Sequence, residues 1–588
     1  MRCVFRIQAQ EGQSGKEIAL EPIISFKNFG FKYTVQKEPT LFDINLDIYP
    51  GQKVLIAGPS GCGKSTLVSC LNGLAPFSYD GEYTGSLTVG GKEARESDIF
   101  TRSKVIGTVL QDSDAQFVGL TVAEDIAFAL ENDEVPVEDM KRRVDTAAAL
   151  VDVQGHLAHA PHELSGGQKQ RVSLAGVLVD DVDVLLFDEP LANLDPAAGE
   201  AAIELIDRIA KEQNKTVIII EHRLEDVLHC AIDRVVLMDE GRILADTTPE
   251  ELLCSDLLQK TGIREPLYIT ALKYAGVTVQ PSMHPAHIET LSLSEAEKEK
   301  VRAWYEASQE EEAAPPAETL LEVKDLTFRY GNGFEALKDI NLKLRKGEMT
   351  AIAGRNGAGK STLCKLICGF EQQQEGNILL KGNDTKTMSI KERAEHVGYV
   401  MQNPNQMISK VFIKDEVGLG LVLRGRSQEE VDAAVDEALA TCSLSPFVDW
   451  PVSALSYGQK KRVTIASILS LRPEVILLDE PTAGQDFRRY TEIMEFLEAL
   501  NRSGVTVVLI THDMHLMLEY CDRALVFSEG RLLADDSPAA VLSDPALIEK
   551  ASLKKTSLYA LAGLCGIADA RAFTDRFIRC DRKERRGQ

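Results

Sequence analysis

Short, continuous apolar runs recur along the chain and predict the buried strands of a parallel β-sheet, which are covered on both faces. They occupy residues 54–57, 184–187, 217–220, 475–478 and 507–510. Alternating apolar positions at 24–33 and 321–330 predict further strands, and apolar positions at helical spacing predict helices at 137–150 and 428–439. Strands and helices mixed in this way indicate an α/β fold.

The pattern is a repeat that covers nearly the whole chain. Each half carries an apolar strand followed by Gly-x-x-x-x-Gly-Lys-Ser, and Lys360 follows Lys64 by 296 residues. A chain of 588 residues exceeds one ordinary hydrophobic core, so at least two domains are expected. We expect a first domain at 22–252 with an extension at 253–292, an acidic linker at 293–318, a second domain at 319–540, and an extension with a basic tail at 541–588.

The Gly-Lys-Ser segments have the composition of phosphate-binding loops. Glycines let backbone N–H groups curl around a phosphate chain, and the following helix adds the positive end of its dipole. The lysine reaches the β- and γ-phosphates of ATP, and the serine hydroxyl binds Mg²⁺. The predicted ATP-binding residues are Gly58, Pro59, Ser60, Gly61, Cys62, Gly63, Lys64, Ser65 and Thr66 in the first half, and Gly354, Arg355, Asn356, Gly357, Ala358, Gly359, Lys360, Ser361 and Thr362 in the second.

Composition narrows the class of protein. The formal net charge of −25 argues against a nucleic-acid partner, which requires a basic surface. No apolar run approaches the ~20 residues of a membrane span, and the first residues lack the apolar core of a signal peptide, so we expect a cytosolic chain. The basic tail favours a solvated helix over a lipid-binding segment. Cys62 is interpreted as a small packing residue rather than a redox switch.

Four further motifs follow the phosphate loops in the same order in both halves. A glutamine ends a short apolar run, a Leu-Ser-x-Gly-Gln segment follows, one strand ends in Asp-Glu, and another ends in histidine. This order resembles the nucleotide-binding domains of ABC-type ATPases, over about 24–250 and 321–540. The resemblance implies two P-loop NTPase core sheets, each with an antiparallel β arm, a helical subdomain and a small C-terminal extension.

The resemblance also implies a role for each motif. Glu189 and Glu480 would orient and deprotonate the attacking water, while His222 and His512 would contact the γ-phosphate. The expected Mg²⁺ ligands are Ser65, Gln111 and Asp188 in the first half, and Ser361, Gln402 and Asp479 in the second. Further ATP contacts are expected from Tyr33, Ser165, Gly166, Gly167 and Gln168, and from Tyr330, Ser456, Gly458 and Gln459. The two tyrosines would stack on adenine, with edge-strand packing as the alternative.

In this family each ATP is clamped between two domains. Lys64 would therefore share one ATP with Ser456, and Lys360 would share the other with Ser165. Both ATP molecules would then be held by a single chain.

The second half departs from the family pattern at two positions that would face the ATP held by Lys64. Tyr457 stands where Gly166 stands in the first half, and Gln485 stands where the first half has Leu194. A tyrosine adopts positive φ less cheaply than a glycine. We therefore expect a weakened Lys64 site, with most turnover at the Lys360 site.

The segments after the two glutamines resemble the ATPases of energy-coupling factor (ECF) importers, which carry vitamins and transition-metal ions. The implied partners are a membrane T component and a substrate-binding S component, which would hold the chain at the cytoplasmic face of the membrane. Two alternatives stay open: a soluble tandem ABC protein acting on ribosomes, and an ABC importer of another class. Trp304 and Tyr305 of the linker are expected to pack against a domain.

Overall fold

The computed structural model describes residues 21–111, 116–192, 194–307, 318–482 and 487–587. Gln485 and positions 308–317 of the predicted linker lie outside the described residues. We refer to residues 21–307 as the first unit and to residues 318–587 as the second unit.

The first unit contains two sheets. Its strands are β1 (Ile24–Tyr33), β2 (Leu41–Ile48), β3 (Lys53–Ala57), β4 (Gly81–Val89), β5 (Lys92–Glu93), β6 (Ile106–Val109), β7 (Val184–Asp188), β8 (Thr216–Ile220), β9 (Arg234–Asp239) and β10 (Arg242–Thr247). An antiparallel sheet has the order β2-β1-β4-β5, and a six-stranded sheet has the order β10-β9-β3-β8-β7-β6. All strands of the larger sheet are parallel except β10.

Helices cover the sheets and form a separate bundle. They are α1 (Lys64–Asn72), α2 (Leu74–Phe77), α3 (Ile99–Ser103), α4 (Val122–Asn132), α5 (Val137–Leu150), α6 (Gly166–Leu178), α7 (Pro196–Gln213), α8 (Leu224–Val227), α9 (Pro249–Leu253), α10 (Leu257–Thr261), α11 (Leu267–Tyr274) and α12 (Glu295–Glu306). Helices α4, α5 and α6 pack on one another as a helical subdomain.

The second unit repeats this arrangement. Its strands are β11 (Thr319–Arg329), β12 (Glu335–Arg345), β13 (Met349–Gly354), β14 (Glu375–Leu380), β15 (Asn383–Asp384), β16 (Val397–Val400), β17 (Val475–Asp479), β18 (Thr506–Ile510), β19 (Arg523–Ser528) and β20 (Arg531–Asp536). The sheets have the orders β12-β11-β14-β15 and β16-β17-β18-β13-β19-β20. Both units thus have the predicted α/β fold with an antiparallel arm.

The helices of the second unit also follow those of the first. They are α13 (Lys360–Cys368), α14 (Ile390–Arg393), α15 (Ile413–Val422), α16 (Gln428–Thr441), α17 (Tyr457–Leu469), α18 (Phe487–Arg502), α19 (Met514–Tyr520), α20 (Pro538–Val541), α21 (Pro545–Ala551), α22 (Ser557–Leu564) and α23 (Ala570–Gly587). Among the described residues, the search for a helix both long and apolar enough to cross a membrane found none.

The two extensions pack on each other and join the units. Helix α11 contacts α22, and the Tyr274 ring lies 5.8 Å from the Phe577 ring. The predicted packing of Trp304 and Tyr305 is confirmed, since both contact the buried Phe573 of α23. The segment interpreted as a solvated linker therefore includes an ordered helix, α12.

The basic tail also packs inward rather than standing free. Arg582 donates from Nε to the Glu519 carbonyl oxygen at 2.9 Å, and Arg585 lies over the Tyr520 ring, 4.4 Å from its centroid. The prediction of a solvated tail helix is therefore wrong for these arginines, because they pack against α19.

Candidate functional site

The predicted catalytic motifs of each unit come together because the carboxyl ends of parallel strands meet at one edge of a sheet. In the first unit the phosphate loop follows β3, Gln111 follows β6, and Glu189 follows β7. His222 lies two residues beyond the end of β8. The second unit places its motifs after β13, β16, β17 and β18 in the same way.

Both phosphate loops lead directly into a helix that begins at the motif lysine. The preceding glycines lie in the left-handed region, with Gly63 at φ 104° and Gly359 at φ 99°. A side chain is strained at such a φ, and a Cβ on Gly359 would lie 2.5 Å from the Ala336 carbonyl oxygen. Glycine therefore lets each helix N-terminus face the loop, where it favours a phosphate group.

The two motif lysines are buried beneath their own loops. Lys64 Nζ donates to the carbonyl oxygens of residues 58 and 59, at 2.6 and 2.8 Å. Lys360 Nζ donates to those of residues 354 and 355, at 2.8 and 2.9 Å. Burial lowers the pKa of Lys360 to about 8. An ATP phosphate in the loop would offer each ammonium group a stronger, charge-assisted acceptor.

Glutamine and glutamate side chains meet in both units. Gln111 Nε2 donates to Glu189 Oε2 at 2.6 Å, and Gln402 Nε2 donates to Glu480 Oε2 at 2.9 Å. The resemblance implied that each glutamate would orient the attacking water and that each glutamine would contact that water and Mg²⁺. In both units the glutamine that follows one strand thus bonds the glutamate that follows the neighbouring strand.

In the second unit, two predicted metal ligands also touch. Ser361 Oγ donates to Asp479 Oδ2 at 3.0 Å, and the Tyr399 hydroxyl donates to the same oxygen at 2.9 Å. Hydroxyl and carboxylate oxygens are the ligands that Mg²⁺ prefers. The geometry of the second unit therefore suits a hard divalent cation between its phosphate loop and β17.

The predicted catalytic histidines have different neighbours in the two units. His512 Nε2 lies 3.2 Å from Glu480 Oε1. His222 Nδ1 lies 3.9 Å from Glu189 Oε1 but 3.2 Å from Glu221 Oε1. Glu221 is 1% exposed and accepts the backbone N–H of His222 at 2.9 Å. The first unit thus contains a buried acid where the second unit has Thr511.

A second difference concerns the residue that supports the catalytic glutamate. Lys461 is almost fully buried, and its Nζ donates to the Glu480 carbonyl oxygen at 2.6 Å. The neutral Gln170 occupies the corresponding position of the first unit, where its Nε2 bonds the Pro190 carbonyl. The first unit therefore has less positive charge near its glutamate.

These differences change the acidity of the two glutamates. Burial raises the pKa of Glu189 to about 7, and the charges of Glu221 and Asp188 add to this effect. Burial also acts to raise the pKa of Glu480, but the hydrogen bond from His512 and the charge of Lys461 help to hold it below its ordinary value. The two sites are therefore electrostatically unequal.

The Leu-Ser-x-Gly-Gln segments form helix N-caps. Ser165 caps α6 with Gln168, and Ser456 caps α17 with Gln459, each in a reciprocal capping box. Gly166 and Gly167, like Gly458, lie in the first turns of these helices. The N-termini of α6 and α17 are thus ordered for anion contact. The sharing of each ATP with the opposite unit stays a prediction.

The expectation about Tyr457 rested on a wrong premise. Neither Tyr457 nor Gly166 has a positive φ, because each is the first residue of a regular helix. The tyrosine causes no backbone strain, and its hydroxyl donates to the Gln402 carbonyl oxygen at 3.2 Å. The two Leu-Ser-x-Gly-Gln segments therefore differ in the size of the side chain at this position and in the hydrogen bond that the tyrosine makes.

The two predicted adenine-stacking tyrosines occupy equivalent places. The Tyr33 hydroxyl lies 3.0 Å from Thr66 Oγ1, and the Tyr330 hydroxyl lies 3.0 Å from Thr362 Oγ1. Each ring therefore stands beside the first turn of a phosphate-loop helix. Burial raises the pKa of the nearby Cys62 thiol, which favours the interpretation of Cys62 as a packing residue.

The two catalytic sets face each other across one cavity. This cavity measures about 160 Å³ and is lined by residues of both units, among them Glu189, His222, Glu480 and His512. The Asp195 carboxylate of the first unit opposes the effect of burial on the pKa of Lys360. The loop after β7 of the first unit thus lies close to the phosphate loop of the second.

Sequence reasoning missed Glu221 and Lys461. Each lies directly beside a recognised motif, and each differs between the two halves. A comparison of equivalent positions, Glu221 with Thr511 and Gln170 with Lys461, would have identified both as candidates.

Comparisons with known proteins identify the family of the chain. A family model described as "ABC transporter" matches residues 41–192 and 337–483, and one described as "ATP-binding cassette cobalt transporter" matches 255–328. A putative ABC transporter ATP-binding protein of Clostridium perfringens is 58% identical over 563 residues, which are 96% of this chain and 99% of the relative. One of Enterococcus faecalis is 55% identical over 568 residues, 96% of this chain and 100% of the relative.

Among solved structures, cbiO1 from Clostridium perfringens, part of the ABC transporter complex cbiONQ, is 36% identical. The match covers 40% of this chain and 94% of cbiO1, with a TM-score of 0.37. Two family matches within one chain, together with relatives alike over almost their full length, settle the family. The chain belongs to the ABC transporter family, as an ATP-binding ATPase with two such domains in one polypeptide.

Proposed function

We propose that this ATPase energises an ECF-type importer for a vitamin or a transition-metal ion. The observation that carries the proposal is the match of residues 255–328 to a cobalt-transporter ATPase family, in a chain whose two units both retain a catalytic set. The similarity to putative ABC transporter ATP-binding proteins favours a transporter over a soluble protein acting on ribosomes.

Hydrolysis in each unit is assigned to a glutamate, a glutamine and a histidine. Glu480 accepts the proton of the attacking water, and Gln402, which bonds this carboxylate, orients the water. His512, whose Nε2 lies 3.2 Å from Oε1 of the same glutamate, would contact the γ-phosphate. Glu189, Gln111 and His222 have the same roles in the first unit. The loop lysines neutralise the phosphates.

Mg²⁺ is proposed as the cofactor, and the side chains fit it. Ser361 and Asp479 offer oxygen ligands in the second unit, as Ser65 and Asp188 do in the first. Burial raises the pKa of Asp188, an effect that Lys64 opposes. A divalent cation would supply the positive charge that this buried acid lacks. When bound, it neutralises charge on the transferred phosphoryl group.

Two ATP molecules are proposed to lie between the units, each held by the phosphate loop of one and the capped helix N-terminus of the other. The shared cavity and the effect of Asp195 on Lys360 support this arrangement. Closure would bring Ser165 to the Lys360 site and Ser456 to the Lys64 site.

The proposed docking surface for a membrane T component lies beside the two glutamines. Leu120 and Phe128 are exposed large apolar side chains in the first unit, and Val411 and Phe412 are exposed in the second. They lie in or just before the helical subdomains. Short apolar helices of a membrane protein would cover them. The T component, with its S component, would hold the chain at the cytoplasmic face of the membrane.

A double variant tests the catalytic assignment. Changing both Glu189 and Glu480 to Gln removes the proposed bases, so we expect ATPase activity to fall by about a hundredfold or more while ATP binding persists. Phosphate release and binding of a fluorescent ATP analogue provide the readouts. The matched control changes the exposed Glu138 and Glu429 to Gln and should keep activity. Sustained phosphate release by the first double variant would remove these glutamates from the mechanism.

Cysteine crosslinking tests the partner. A cysteine at Val118, beside Phe117, and one at Ser409, close to Met407, should crosslink to an integral membrane protein in native membranes. A cysteine at the exposed Val137 of α5 serves as the control and should not reach it. Crosslinks to ribosomal proteins instead would favour the soluble alternative and contradict the importer.

A further inference from the structure

An arginine of the first extension enters the second unit. The Arg264 guanidinium lies over two aromatic rings, with Cζ 4.7 Å from the centroid of Phe487 and 4.5 Å from that of Tyr490. It donates to Glu519 Oε2 at 3.0 Å and lies 3.7 Å from Asp513 Oδ1. Stacking and ion pairing together hold a planar guanidinium in one orientation.

The partners of Arg264 belong to two helices that leave the catalytic loops. Asp513 directly follows His512, and its Oδ1 caps α19 by accepting the backbone N–H groups of His515 and Leu516 at 2.8 and 3.1 Å. Phe487 is the first residue of α18, the helix that follows Glu480 in the chain. Arg264 therefore contacts the starts of both helices that follow the catalytic loops of the second unit.

The second extension makes a corresponding contact with the first unit. Lys554 Nζ lies 2.8 Å from Asp226 Oδ1, on the short helix α8 after His222. His515 Nε2 lies 3.8 Å from Glu225 Oε2 of the same helix. This contact reaches the fourth residue after the histidine rather than the first. Each extension thus contacts the opposite unit, but Arg264 pairs with the residue directly after a catalytic histidine, whereas Lys554 pairs with the fourth residue after one.

We propose that Arg264 is a positioning residue for His512, so that hydrolysis at the Lys360 site depends on the seating of the first extension on the second unit. The inference rests on the proposed function, because it takes His512 as the γ-phosphate contact. Asp513 connects the two residues: its carboxylate faces Arg264, and its backbone continues directly from His512. Displacing a positioned group by about 1 Å can cost on the order of a hundredfold in rate.

The matched test compares Arg264→Gln with Arg585→Gln in the full-length chain. Arg585 pairs with the same Glu519, at 4.0 Å, and stacks on Tyr520, but it belongs to α23 of the second unit itself. We expect Arg264→Gln to lower kcat about tenfold with KM for ATP changed less than twofold. Arg585→Gln should lower kcat less than twofold. Equal losses of kcat in the two variants would overturn the proposal.

A second comparison assigns the effect to one site. In the Glu189→Gln background only the Lys360 site is expected to hydrolyse ATP, and Arg264→Gln should again lower kcat about tenfold. In the Glu480→Gln background, Arg264→Gln should lower kcat less than twofold. Equal costs in both backgrounds would make Arg264 a general structural residue. Persistent turnover in the Glu189→Gln, Glu480→Gln double variant would instead contradict the catalytic roles proposed for the two glutamates, rather than the role proposed for Arg264.

A conservative variant guards against simple unfolding. Arg264→Lys keeps a positive charge beside Asp513 but loses the planar, stacked group. We expect its kcat to lie between those of the wild type and Arg264→Gln. Thermal unfolding of all variants is measured alongside. If kcat follows the unfolding temperature across the Arg264 and Arg585 variants, the positioning role is wrong.

Discussion

At the residue scale, a few side chains make two similar sites chemically different. A buried acid, Glu221, lies against His222, where the second unit has the neutral Thr511. A buried cation, Lys461, supports Glu480, where the first unit has the neutral Gln170. Both differences leave more negative charge around the first glutamate. They make the two sites unequal through charge rather than through backbone strain.

We expect Glu480→Gln to cost more ATPase activity than Glu189→Gln. The Lys360 site contains Glu480, whose backbone carbonyl accepts a hydrogen bond from Lys461. It is proposed to be closed by the Ser165 segment, which keeps the family pattern Leu-Ser-Gly-Gly-Gln. The site of Lys64 contains Glu189 and would be closed by the segment that carries Tyr457. Steady-state phosphate release by the two single variants, measured in the assembled transporter, gives the comparison. Equal losses, or the reverse order, would contradict it.

The sequence predicted the motif residues but not their neighbours. Lys64, Glu189 and His222 were identified because each belongs to a short motif, and the motifs follow one another in the order found in ABC-type ATPases. The effects of Glu221 and Lys461 depend on burial, and on distances between loops that are far apart in sequence. Tyr457 causes no backbone strain because it begins a regular helix, a position that does not need positive φ.

At the scale of elements, hydrophobic patterning predicted strands and helices well. The apolar runs at 184–187 and 217–220 lie within β7 and β8, and the helix expected at 137–150 is α5. The pattern could not reveal that α12 is ordered, because that depends on Phe573, far away in the sequence.

Helix α4 of the helical subdomain offers a test of local capping. Thr121 Oγ1 accepts the Glu124 N–H at 3.3 Å, and Glu124 Oε2 accepts the Thr121 N–H at 3.0 Å. Thr121→Ala should cost about 1 kcal/mol of helix stability, which is about fivefold in the local opening constant. Hydrogen exchange of the first turn of α4 measures it. The control, Thr146→Ala, lies within α5 and should leave exchange unchanged.

At the scale of the whole molecule, charged groups of both units meet at one interface. Asp226 of the first unit faces Lys554 of the second and Arg223 of its own unit, with Glu225 and His515 alongside. Burial acts to raise the pKa of Asp226, but the charges of Lys554 and Arg223 hold it well below its usual range. The ionised carboxylate therefore stabilises the contact between the units.

This pKa predicts a pH dependence of stability. Because the pKa of Asp226 is lower in the folded state than in the unfolded state, where it is about 3.9, its contribution is full above that value and is lost as the pH falls. We expect Asp226→Asn to lower the thermal unfolding temperature at pH 7, by a difference that shrinks below pH ~4. A difference independent of pH would exclude the ion pair as its cause.

The ordered helix α12 has a consequence for how the two halves diverge. It continues from the first extension and packs on the last helix of the chain, so each half always meets the other at high effective concentration. In an assembly of identical subunits, a substitution beside the catalytic glutamate would enter both sites at once. Here a change such as Glu221 or Lys461 enters one site only, and the other site continues to turn over ATP. Covalent joining thus lets the two ATP sites acquire different properties within one polypeptide.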